Sequence, residues 1–236
     1  MGVIKIEKKN MTTGNVIIRP KPQELSITMK QVARYAGGSR YRMDADMEKK
    51  TALVLNEAVN LICPSLVYSV HDISQLHYKI RAGLFLPENT EEAPKVAPCI
   101  CTLGPKLDMA VNEAMQVGDG LHAALLDAAG VGLLESLGHL SFSHICTEAR
   151  KHNLYAGCRS GPGYNQVPME AQIHLFSMLD SKGIGVSLMN SFVMTPAKSL
   201  SFFVVFHKKP HRETDTYKCG ACDLLDCPYR IRNSLR

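Results

Sequence analysis

A chain of 236 residues, 45% of them hydrophobic and 21% charged, carries enough apolar side chains to bury a core without disulfide staples. Its formal charge of +5 is modest and gathers at the ends, in "KIEKK", "HKKPHRE" and "RIRNSLR", where a basic stretch is usually a solvated surface. The opening "MGVIKIEKKN" lacks the apolar centre of a signal peptide, and no apolar run approaches the roughly 20 residues that span a bilayer, so a soluble, cytoplasmic protein with no membrane partner is expected.

In chain order, "NVIIR" predicts a strand ended by Pro20, and a short helix opens near Ser26 and stops at Gly37 and Gly38. From Asp44 to Cys63 the apolar residues Met47, Thr51, Val54, Ala58, Leu61 and Ile62 recur at helical spacing, with Asp44 as a cap and Pro64 as a stop. "SLVYSVHDI" reads as extended. "PENTEEAPK", with two prolines and three glutamates, is the most loop-like stretch, and "VAPCICTLG" after it reads as a buried strand.

A helix is expected from Leu107 to Val117 and a long one from Asp119 to Lys151. In the long helix Leu126, Ala129, Leu133, Leu137 and Leu140 share a face, and Ala124, Ala128 and Gly132 form a strip of small residues for close approach. "GCRSGPGYNQVP" reads as a loop, and Pro168 opens a helix to Leu179 that Gly183 ends. "IGVSL" and "LSFFVVF" then read as strands. The alternation lacks a regular βαβ rhythm, which predicts one α+β domain over residues 1–236, with a mixed or antiparallel twisted sheet, packed helices and a cysteine-rich tail at 219–227.

Two stretches could hold a ligand. "CRSGPGYNQVP" joins Arg159, whose guanidinium is a fork of donors suited to a carboxylate or phosphate, to glycines that let backbone approach a flat group. "NSFVMTPAKSLSFFVV" reads by itself as a hairpin turning at Pro196. Taken in order, "RSGPGY" and "SFVMTPAKSLS" resemble the S-adenosylmethionine-binding reactivation domain of cobalamin-dependent methionine synthase, whose Arg-x-x-Pro-Gly-Tyr loop precedes a Ser-Phe-x-Met-x-Pro-x-x-Ser turn. "CTLG", "LLDAAGVGLLESLGHL" and "CGACDLLDCPYR" are similar to features of short, separate-chain relatives of that domain, and "MKQVARYAGG" to a minor one. The resemblance runs from about Val96 to Arg230. It departs where the long synthases have alanine before Pro-Gly-Tyr and this chain has Gly161, which predicts a looser loop.

The resemblance implies a rescue reaction. Cobalamin oxidised to inactive Co(II) is reduced by one electron while the sulfonium methyl of S-adenosylmethionine passes to cobalt, chemistry that asks a protein chiefly for positioning. It also implies site residues: Arg159 on the methionyl carboxylate, backbone at Gly161 and Gly163 on the adenine, Tyr164 packing on the ligand, Glu135 facing the amino group or sulfonium, and Lys198 and Ser199 closing the site. Since this sequence contains no corrinoid-binding module, the action is expected in trans. The partner would be a corrinoid-binding methyltransferase such as a methionine synthase lacking its activation domain, with flavodoxin or ferredoxin as reductant.

Five of the eight cysteines, Cys63, Cys99, Cys101, Cys146 and Cys158, sit in contexts where a thiol behaves as a small hydrophobe. Cys219, Cys222 and Cys227 form C-x2-C-x4-C, three thiolates in reach of one centre, whereas zinc and iron–sulfur sites use four ligands. Cys158, next to Arg159, is the candidate fourth. Iron–sulfur is favoured over zinc because the implied chemistry consumes electrons. The competing readings are a metal-stabilised nucleic-acid-binding protein and an electron carrier. The first has little support, with only Tyr217 and Tyr229 as aromatics near the basic tail and no tryptophan in the chain.

Overall fold

The 32 residues from Gly120 to Lys151 form one uninterrupted helix, α5, opened by Asp119, whose carboxylate accepts the His122 N–H at 3.0 Å. A computed structural model of the chain describes residues 2–3, 14–163, 167–210 and 227–229. Before α5 come β1 (Val16–Ile18), α1 (Met29–Gly37), α2 (Ala45–Leu61), β2 (Ser65–Tyr68), β3 (His71–Asp72), α3 (Tyr78–Gly83), β4 (Lys95–Thr102) and α4 (Lys106–Gln116). After it come β5 (Tyr155–Ser160), α6 (Gln172–Met178), β6 (Ser187–Leu188), β7 (Met194–Thr195) and β8 (Ser199–His207).

An antiparallel sheet in the order β1-β2-β4-β8-β5, with β3 also on β4, divides the molecule, and β6 and β7 form a separate ribbon. Side chains alternate across it as the pleat demands. Ala97, Cys99, Cys101, Phe202, Val204 and Phe206 face α5 and its neighbours α1, α2 and α4, while Val96, Ile100 and Phe203 face a second core with Ile80, Leu84, Leu175, Phe176 and Met178. Leu126, Leu133 and Leu137 of α5 are fully buried in the first core. The helix is long and apolar enough to cross a bilayer by length and composition, which no apolar run was expected to be, but half of that window is buried inside the fold.

Pro98 stands in the middle of the central strand, where a residue without an N–H is costly. Cys99 pairs with Tyr68 and Val96 with His71, so Pro98 falls opposite the break between β2 and β3. Its missing donor explains why that edge is two short strands.

The α+β fold with an antiparallel sheet agrees with the sequence; several local readings do not. The first helix starts at Met29 after a Thr28 cap, with Gln31 returning its Oε1 to the Thr28 N–H at 2.8 Å, rather than near Ser26. The helix after Pro168 is a single 3-10 turn followed by α6, which stops at Met178, and Gly183 lies in a further 3-10 turn. Only Ser187 and Leu188 of "IGVSL" are strand. Ala124 is exposed; the close approaches on α5 are at Gly130, Gly132 and Gly138. Cys158 and Arg159 belong to a strand, not to a loop.

Candidate functional site

Strand β5 reaches its end beside β8 through a bulge. Ala156 pairs with Phe206 and Arg159 with Val204, so Gly157 and Cys158 together oppose Val205. The extra residue turns Arg159 to the same face as Ala156, under α5; regular pleating would put it on the other face. Its guanidinium carbon lies 5.8 Å from the ring centre of Phe142 on α5 and 5.7 Å from that of Phe202 on β8, and the residue is only 5% exposed. Gly138 gives it room, since a β-carbon there would stand 3.0 Å from Arg159 Nη1.

Beneath it lie the thiols of Cys99 and Cys101. Burial pushes Cys99 well up and Cys101 up to about 12, and the Arg159 charge offsets only part of this, so both stay neutral. After β5 the chain turns sharply. A β-carbon on Gly161 would be 2.9 Å from the Ser201 carbonyl oxygen, so the loop lies directly on β8. Gly163, at φ +81°, donates its N–H to the Val167 carbonyl at 2.8 Å and closes the loop. Tyr164 lies outside the described residues.

The other motif lies at the start of β8, toward which this loop runs. Thr102 pairs with Ser199 at the end of β4, and Leu103 donates its N–H to the Lys198 carbonyl at 2.9 Å. Ser199 Oγ sits 2.9 Å from Thr102 Oγ1 and 2.7 Å from the Pro196 carbonyl oxygen. Thr102 Oγ1 in turn accepts the Gly104 N–H at 3.1 Å. Asp108 on α4 accepts the Ala197 N–H at 2.6 Å, and Lys198 Nζ reaches Asp127 on α5 at 2.5 Å. Gly130 leaves space for the lysine stem, 2.8 Å from where a β-carbon would be. Thus "CTLG" and "TPAKS", far apart in sequence, are bonded to each other, and Lys198 and Arg159 both lie against α5, at Gly130 and Gly138.

Glu135 is engaged by α1. Its carboxylate accepts a hydrogen bond from the Tyr35 hydroxyl and lies 3.4 Å from Arg34 Nη2, both on α1. Burial, then Glu135 as acceptor and neighbouring charge, hold the Tyr35 phenol above its ordinary range. Sequence reading passed over Asp108, Asp127, Gly130, Gly138, Arg34 and Tyr35. The one available signal was two glycines eight residues apart on an apolar helix, which keeps them close to one face.

Cys219 and Cys222 lie outside the described residues. Cys227 begins a described segment that docks on α1: Pro228 accepts the Ser39 N–H at 2.9 Å, and the Tyr229 ring sits 6.0 Å from that of Tyr35. The tail was expected to return to the stretch read as a loop around Cys158, whereas this part of it lies against α1 and Ser39. Cys158 lines a cleft of about 260 Å³ with Leu84, Phe85, Ser160, Phe203 and His207, on the face of the sheet away from α5. Among the described residues no group of three or more His, Cys, Asp or Glu side chains is placed to hold a metal.

Residues 136–225 match the family described as vitamin B12 dependent methionine synthase, activation domain, a span that takes in Arg159, Gly161, Gly163, Lys198 and Ser199 and stops short of Glu135 and Cys227. Among solved structures, the crystal structure of the MetH reactivation domain bound to AdoHcy superposes with a TM-score of 0.60 at 13% identity, over 86% of this chain and 81% of that one. No curated protein matches the chain in sequence. At that identity the structural likeness is one of fold, and it extends into the N-terminal residues that the sequence motifs left out. The chain therefore resembles the activation domain of vitamin B12 dependent methionine synthase, in fold over most of its length and in sequence over residues 136–225.

Proposed function

We propose that the chain binds S-adenosylmethionine and supports reductive remethylation of cob(II)alamin held on a separate corrinoid protein. The observation that carries this reading is the direct pairing of "CTLG" with "TPAKS" at the start of β8, the strand along which "RSGPG" also lies, within the fold of a domain solved with AdoHcy. The residues there suit such a ligand. Arg159 supplies a buried cation for the methionyl carboxylate, strengthened by its apolar surroundings. The bare backbone at Gly161 and Gly163 suits the adenine edge, and Tyr164 would pack on the ligand. Ser199 fixes the closing turn through Pro196 and Thr102, while Asp127 matches the charge of Lys198. Glu135 lies one turn along α5 from Gly138, the seat of Arg159, and would face the amino group or sulfonium.

When bound, S-adenosylmethionine supplies a methyl cation equivalent and leaves as S-adenosylhomocysteine, and a flavodoxin- or ferredoxin-like reductant supplies the single electron. The cytoplasm is the compartment where such partners meet. We assign the tail cysteines Cys219, Cys222 and Cys227 to an iron–sulfur cluster or zinc, with Cys158 retained as the ligand to test.

Calorimetry with S-adenosylmethionine on anaerobically purified protein, combined with metal analysis and visible absorption, tests both parts. Saturable binding near one ligand per chain is expected, and absence of binding removes the functional reading. Metal should be present in the parent and lost in Cys222→Ser; full metal occupancy in Cys158→Ser would place the fourth ligand elsewhere.

A further inference from the structure

The tail and the ligand site are joined by contacts that run through α1. Helix α1 and the segment leading into it are tied to α5: Ile27 fills the space left by Gly132, the Ser26 N–H donates to Ser136 Oγ at 3.0 Å, and from α1 itself the Tyr35 hydroxyl donates to Glu135. Arg34 Nη2 donates to Tyr35 Oη at 2.7 Å, and its guanidinium carbon lies 4.6 Å from the centre of the same ring. The phenol therefore receives one hydrogen bond from a cation and gives one to a carboxylate, an orientation that polarises both. The Tyr35 ring also meets Tyr229 at 6.0 Å and 45°, a tilted aromatic contact. The tail is pinned there by the Pro228 carbonyl on the Ser39 N–H, and Gly38, at φ +86°, would put a β-carbon 3.3 Å from that carbonyl. Cys227, the last of the tail cysteines, directly precedes Pro228.

We propose that Tyr35 is a positioning residue for Glu135, and that the docked tail, through Tyr229, holds Tyr35 in the orientation the ligand site uses. The proposal rests on the S-adenosylmethionine reading. A glutamate on a helix surface otherwise samples several rotamers, and fixing its carboxylate before the ligand arrives removes that ordering cost from binding. The link between tail and site is then aromatic and passes through α1, whereas the sequence had placed it on a Cys158 ligand. Any change that loosens the Cys227–Tyr229 segment is transmitted to Glu135 without touching the strand that carries Arg159.

The experiment uses the full chain and S-adenosylmethionine calorimetry, with amide exchange followed in the ligand-free protein. Tyr35→Phe keeps the ring and its packing and removes only the hydroxyl; it should lower affinity about tenfold, as should Glu135→Gln. The double variant should be no weaker than either single one, because both remove the same link. Tyr229→Ala should lower affinity several-fold and speed exchange of the Ser39 amide, whereas Tyr229→Phe should match the parent in both. Parent-like affinity in Tyr35→Phe, or additive losses in the double variant, overturns the positioning role. Unchanged Ser39 exchange in Tyr229→Ala overturns the tail seat. A parent that binds no S-adenosylmethionine overturns the functional reading and the role of Glu135 with it, while the Ser39 exchange still reports on the tail by itself.

Discussion

Replacing Arg159 with methionine is expected to weaken S-adenosylmethionine binding about a hundredfold or more while leaving a folded protein. A guanidinium and a carboxylate form two parallel charge-assisted hydrogen bonds of about 1.5–3 kcal/mol each, and roughly 1.4 kcal/mol is a factor of ten. Methionine is the informative substitution because the side chain lies between Phe142 and Phe202 beneath α5. Truncation to alanine would open a cavity, at a cost near the 2–5 kcal/mol typical of shortening long buried side chains, and would confuse lost folding with lost binding. On an exposed loop, as the sequence had it, alanine would have been harmless to the fold. The substitution also creates no reactive thiolate. Burial is the dominant influence on Cys99 and Cys101, and losing the Arg159 charge leaves them more firmly neutral. Thermal unfolding checks the fold and calorimetry the affinity. Parent-like affinity in Arg159→Met would remove Arg159 from the site.

What the sequence made legible follows from where physical signals are local. The long helix could be read from Leu126, Ala129, Leu133 and Leu137, and α2 from Asp44, whose carboxylate accepts the Met47 N–H at 2.8 Å, because spacing and caps act within a few residues. Strand β8 announced itself through the apolar run 202–206, as suits a strand covered on both faces. By contrast "YAGCRS" has weak strand propensity and becomes β5 only because β8 offers it a partner edge and a bulge absorbs the glycine. Helix α3 is too short to show a period.

The site divides in the same way. Arg159, Gly161, Lys198 and Ser199 were visible through motif resemblance, but not that antiparallel pairing of β5 with β8 sets the first two along the strand that the last two open. Asp127 and Asp108 join the candidate site only through tertiary contact. Tyr35 stands 100 residues from Glu135, and no local pattern could join them. The bulge at Gly157 and Cys158 decides which face Arg159 occupies, and a bulge of one residue leaves no reliable trace in periodicity.

Gly161→Val is expected to lower S-adenosylmethionine affinity at least about tenfold and to destabilise the protein by about 1–3 kcal/mol, the usual range for overpacking. A β-carbon at this position would stand 2.9 Å from the Ser201 carbonyl oxygen and 3.4 Å from Phe202 Cα. Both atoms belong to the backbone of β8, which is paired with β4 on one side and β5 on the other and cannot give way as a flexible side chain would. The loop must lift instead. Lifting it strains the Ser160 pairing with Phe203 and shifts the turn that Gly163 closes on Val167, so the backbone offered to the ligand moves. The alanine that long methionine synthases carry at the corresponding place was the reason to expect a looser loop here. At Gly161 itself the backbone is seated closely on β8, so a β-carbon there meets the strand's backbone. Gly161→Ala should therefore also lower affinity, by less than valine does, because a single methyl calls for less displacement than an isopropyl group. Unfolding midpoints and calorimetry on both variants test this ordering. If Gly161→Val binds as the parent does while its unfolding midpoint falls, the loop is a structural element only and the ligand lies away from it.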